Sequence, residues 1–63
     1  MNYKVYFDNN KAIRCELVKE INDAADYAIV NKIKVINSLV VNARSEKEAL
    51  AIGERLAEKL TNL

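Results

Sequence analysis

The sequence predicts a small α+β domain of order β-β-α-β-α, with both helices packed on one face of a mainly antiparallel sheet. Three observations predict it. Apolar residues alternate at period two over residues 2–8 and again over 11–18. Apolar residues then recur at helical spacing from Ile21 to Ile29. A serine–glutamate cap at Ser45 opens a second, longer amphipathic stretch. The chain has 63 residues, no proline and one glycine, so no linker divides it and one domain spans 1–63.

In the first strand Tyr3, Val5 and Phe7 share one face and Asn2, Lys4, Tyr6 and Asp8 the other. Asp8-Asn9-Asn10-Lys11 reads as a tight turn, because Asn and Asp adopt left-handed backbone angles at low cost. Beyond it Ile13, Cys15 and Leu17 alternate with Arg14 and Glu16, which makes the first two strands a hairpin. A second reading stays open. Ile13, Leu17, Ile21, Ala24 and Ala28 also sit at helical spacing, and one long helix over 10–31 would give a βαβα chain. The turn chemistry favours the hairpin.

Residues 22–32 read as helix in both cases, with the stripe Ile21, Ala24, Ala25, Ala28 and Ile29 and with Asn22 or Asp23 as cap. Residues 33–43 read as strand, interrupted at Asn37-Ser38, where the apolar phase shifts as it does across a bulge or a turn. Ser45-Glu46-Lys47-Glu48 is a capping box. It opens a helix to about residue 61, with Ala49, Ile52, Gly53, Leu56, Ala57 and Leu60 on its buried side. Gly53 inside that helix costs about 1 kcal/mol relative to alanine, and close packing is the compensation the position suggests.

Composition removes several function classes from the expectation. There is no histidine, so the commonest general acid/base is missing, and one cysteine allows no internal disulfide and no Cys/His zinc site. The lone glycine lies in a helix, so there is no glycine-rich loop to cradle a phosphate. Cys15 sits on an apolar strand face, where a thiolate is disfavoured. Ser45 is accounted for by capping, and Asp23 with Asp26 by the positive end of a helix. The chain is therefore expected not to be an enzyme and to carry no cofactor, metal or small-molecule substrate. No apolar run approaches the ~20 residues that span a bilayer, and no export signal opens the sequence, so no membrane and a cytoplasmic location are expected.

Two binding classes remain. A domain this short buries only about 60% of the surface its unfolded chain exposes, and self-association is the device left to it. The first expectation is a protein-interaction module, a small homodimeric regulator or inhibitor of phage-like or mobile-element character. Its partner surface would include Tyr6, Tyr27 and Val40, since exposed tyrosines anchor interfaces and Val40 adjoins Val41 on a strand apolar on both faces. The second is a nucleic-acid-binding accessory protein, using Lys4, Tyr6, Lys11 and Arg14 on the outer face of the hairpin. The net charge of +1 lends that reading no support from the chain as a whole. The stretch Leu39-Val40-Val41-Asn42-Ala43-Arg44-Ser45-Glu46-Lys47-Glu48-Ala49 is similar to a strand–turn–helix found in many small bacterial and phage proteins, HicB-type antitoxins among them. What it shares with them is a helix cap after a strand, which implies no family.

Overall fold

A computed structural model describes residues 1–19 and 26–62. Four strands, β1 (Asn2–Asp8), β2 (Lys11–Leu17), β3 (Asp26–Val30) and β4 (Ile33–Asn42), precede one helix, α1 (Glu46–Thr61). All strand pairs are antiparallel and the sheet order is β2-β1-β4-β3. The class is α+β as expected, but the two-helix β-β-α-β-α layout is not: α1 is the only helix among the described residues.

The first hairpin forms as the turn chemistry requires. Asn9 and Asn10 have φ of 51° and 62°, and Asp8 pairs with Lys11 across this two-residue turn. This overturns the long helix over 10–31 and with it the βαβα alternative. The expected helix over 22–32 is overturned from Asp26 onward, where the chain is β3. Its supposed start, at Asn22 or Asp23, lies outside the described residues. Asn31 and Lys32 explain the difference. Their φ values, 53° and 66°, make a second two-residue turn, and Val30 pairs with Ile33 across it. Tyr27 to Val30 are all apolar, so they satisfy a helical stripe and a two-faced strand equally well. The β-branched pair Ile29-Val30 and a turn that fits only a hairpin settle it in favour of strand.

Each outer strand pairing carries one extra residue. Tyr6 pairs with Arg14 and Phe7 with Ala12, so Ile13 is bulged out of β2. It is exposed, and Ala12 takes the place beside Cys15 and Leu17 that the sequence assigned to Ile13. Asp26 pairs with Ser38 and Tyr27 with Ile36, which makes Asn37 the bulge expected in β4. Without that bulge Ile36 would turn away from α1. With it, Ile36 joins Leu39 and Val41 in the core.

α1 packs across β2, β1 and β4. Ser45 caps it, its hydroxyl accepting from the Glu48 amide at 3.2 Å. Its stripe Ala49, Gly53 and Ala57 is buried against Tyr3, Val5, Phe7, Leu39 and Val41. The small side chains let the helix backbone approach the sheet closely: a Cβ on Gly53 would lie 2.9 Å from Val5 Cγ1. Asn10 adds a device the sequence did not reveal. β1 pairs with β4 only as far as Tyr6, opposite Ser38. Beyond that point the Asn10 side chain stands in for a strand residue. Its Oδ1 accepts from the Ile36 amide at 3.0 Å, and its Nδ2 donates to the Lys34 carbonyl at 3.4 Å.

Candidate interaction surfaces

Because Val5 faces α1, its neighbours Lys4 and Tyr6 face the other way. Lys4 pairs with Glu16 and Val40, and Tyr6 with Arg14 and Ser38. The structure therefore brings together Lys4, Tyr6 and Arg14 on the face opposite the helix, with Lys11 at the end of the hairpin. The Arg14 guanidinium lies 3.9 Å from the centre of the Tyr6 ring and Lys4 Nζ 5.7 Å from it. The Tyr6 hydroxyl donates to the Glu16 carboxylate, and Arg14 reaches the same carboxylate at 3.9 Å. Two cations, an aromatic ring and one anion thus form a local set in which the guanidinium already occupies a face of the ring.

Tyr6 and Val40, two of the residues assigned to a partner surface, share this face and are half-buried. Tyr27, the third, is elsewhere. It lies on β3 in register with Ile36, on the helix side of the sheet, with Lys34 Nζ 5.0 Å from its ring centre. The three therefore do not form one patch.

Other exposed apolar residues flank Tyr27 on both faces of the β3–β4 hairpin. Among the described residues α1 makes no backbone approach to β3, so the β3–β4 hairpin projects beyond the helix. Tyr27, Ile29, Val30, Ile33 and Val35 are between 38% and 70% exposed, and every residue of β3 is exposed. Tyr27 and Ile29 lie on the helix side. Ile29 borders a shallow cleft with Lys32, Lys34, Leu60 and Thr61. Val30, Ile33 and Val35 lie on the other side. The sequence signal for these residues was an apolar run on both sides of Asn31-Lys32.

Cys15 is half-buried, and its thiol points at the Glu46 carbonyl, 3.7 Å away. Burial first, and the Glu46 carboxylate second, push the thiol above its ordinary value, the opposite of what a nucleophile needs. Among the described residues no group of three acidic or sulfur side chains could hold a metal ion. No described helix is long and apolar enough to cross a membrane. Compared with known proteins, the chain matches no family model, no curated protein and no solved structure.

Proposed function

We propose that this protein is a non-enzymatic protein-interaction module, a small homodimeric regulator or inhibitor that docks through the β3–β4 hairpin. The observation that carries the reading is the concentration of exposed apolar side chains on β3 and the adjoining start of β4, with β3 left uncovered by the helix. Scattered exposed apolar residues are ordinary, but five on one short hairpin are not. Sedimentation equilibrium over a wide concentration range tests it. The wild type should gain mass with concentration, and Ile29→Lys should remain monomeric with an unchanged circular dichroism spectrum. A wild type that stays monomeric at the highest concentration refutes the homodimer.

A second reading, a nucleic-acid-binding accessory protein, draws on Lys4 and Arg14 flanking Tyr6 on the face opposite the helix. Its mark is an affinity for single-stranded DNA or RNA that falls steeply with salt. No binding at low salt removes it.

A further inference from the structure

We propose that the β3 edge is the self-association surface: two copies pair antiparallel through Asp26–Val30 about a twofold axis at Ala28, joining their sheets edge to edge. This rests on the reading of the chain as a self-associating module, and adds the surface and the register.

The backbone sets the register. Asp26 directs its amide towards β4, donating to Ser38 Oγ at 3.2 Å. Inward and outward groups alternate along a strand. Ala28 and Val30 therefore also bond towards β4, consistent with the Val30–Ile33 pair that closes the turn. Tyr27 and Ile29 are left with amides and carbonyls aimed at the free edge. An axis at Ala28 puts Tyr27 opposite Ile29 of the second copy, so each outward group meets a complementary one.

The side chains agree with this register. Tyr27 and Ile29 lie on the same face, so the pairing sets an aromatic ring against a β-branched chain twice, a favourable cross-strand combination. On the other face Ala28 meets its own copy, and Asp26 meets Val30. The one charge in the strand is thus kept away from its symmetry mate. An isologous contact needs a strand complementary to itself, and Asp-Tyr-Ala-Ile-Val is so about its centre. The opposite edge is unsuited: β2 is bulged at Ile13 and carries Lys11, Arg14 and Glu16, the features that block edge pairing. β3 has no charge after Asp26, no proline, and only β4 beside it among the described residues.

Of the exposed apolar residues of the hairpin only Tyr27, Ile29 and Val30 belong to the edge strand, Tyr27 and Ile29 on one face and Val30 on the other, so the apolar area that edge pairing can cover is small. A stable interface of standard size takes about 800 Å² from each partner, so the expected dimer is reversible rather than obligate.

Cysteine cross-linking in a Cys15→Ala background tests the register. In an antiparallel pair that is not hydrogen bonded, facing Cα atoms are about 4.5 Å apart, within the span of a disulfide. Ala28→Cys meets its own copy at that distance. Val30→Cys faces Asp26 of the second copy and lies about 14 Å from its own, from a four-residue offset at strand rise. Two thiols would pass two electrons and two protons to oxidised glutathione, giving one disulfide and two reduced glutathiones. The expected result is a dimer on a non-reducing gel at least ten times faster for Ala28→Cys than for Val30→Cys. As a second variant, Ala28→Lys sets two ammonium groups together at the axis. It should weaken association at least ten-fold with unchanged circular dichroism. If the wild type is dimeric but the two cysteine variants cross-link alike, or Ala28→Lys associates normally, the register falls and the module reading stands. If the wild type is monomeric, both fall.

Discussion

Replacing Gly53 by alanine sets two effects against each other, and the structure decides the sign. In an exposed helix interior the change gains about 1 kcal/mol. Here the added Cβ would sit 2.9 Å from Val5 Cγ1 and 3.2 Å from both Val5 Cβ and Cγ2. Rotating the valine offers no escape, because its own Cβ is already too close. The strand cannot drop either, since β1 is hydrogen bonded to a neighbour on each side. The helix must therefore lift by about 0.6–0.9 Å to restore ordinary carbon–carbon contact. Lifting loosens Ala49 and Ala57, which are buried on the same stripe. Overpacking of this kind costs about 1–3 kcal/mol, so the net effect is a loss of about 1 kcal/mol, and at most about 2. Urea unfolding followed by circular dichroism, on Gly53→Ala, Val5→Ala and the double variant, isolates the contact. Against Val5→Ala, which removes both methyl groups but keeps the Cβ at 3.2 Å, Gly53→Ala should cost less than in the wild type and come out near neutral. A gain of about 1 kcal/mol from Gly53→Ala in the wild-type background would refute the reasoning.

Three further outcomes follow from the turns and the thiol. Asn10→Ala removes both bonds to β4, leaves the buried Ile36 amide unpaired and puts alanine at the left-handed φ of position 10, a loss of about 2–3 kcal/mol. Asn10→Gly, which keeps the backbone geometry, should lose about 1 kcal/mol less, and equal losses in urea titrations would sink the account. Lys32→Gly should stabilise by about 0.5–1 kcal/mol, because lysine at φ 66° carries a left-handed penalty that exceeds the entropy glycine adds to the unfolded chain; a fall in the urea midpoint would contradict it. Burial and the Glu46 carboxylate hold the Cys15 thiol above its ordinary value. Its reaction with a disulfide reagent at pH 7.5 should therefore be slower in the folded protein than in urea, rise with pH at a higher midpoint than in urea, and quicken in Glu46→Gln. A folded rate equal to the unfolded one counts against this.

The sequence was most readable where a local rule acts alone. Asn9-Asn10 determines its turn without help from the core, Ser45 caps its helix within four residues, and the phase slip at Asn37-Ser38 announces the bulge. It misled where two periods fit one run. Ala28 and Ile29 complete a helical stripe from Ile21, yet the same residues make a strand as soon as Asn31-Lys32 turns the chain back. That turn lacks the glycine that usually marks it, and lysine is an unusual occupant of its second position. Ile13 misled for a related reason: alternation alone cannot reveal that β2 holds one residue more than β1 requires. The partner surface was only partly legible. Tyr27 was visible as an exposed aromatic, but its companions Ile29, Val30, Ile33 and Val35 became a surface only once the hairpin extended past the helix. The clamp made by Asn10 depends on where β1 stops beside β4, which no local pattern encodes.

The two bulges also bear on how a gene for this fold can change length. In a regular strand the loss of one codon turns every later side chain to the wrong face. At Ile13 and Asn37 the chain already carries a residue that its neighbour strand does not match. An in-frame deletion at either codon leaves Ala12 opposite Phe7, or Ile36 opposite Tyr27, and turns an irregular ladder into a regular one. The same deletion at Val5 or Leu39 inverts half a strand. Within the sheet, then, insertions and deletions should survive selection at these two codons and be purged elsewhere. A library of single-codon deletions, sorted for folded protein, would show two tolerated positions in β2 and β4 against a background of loss.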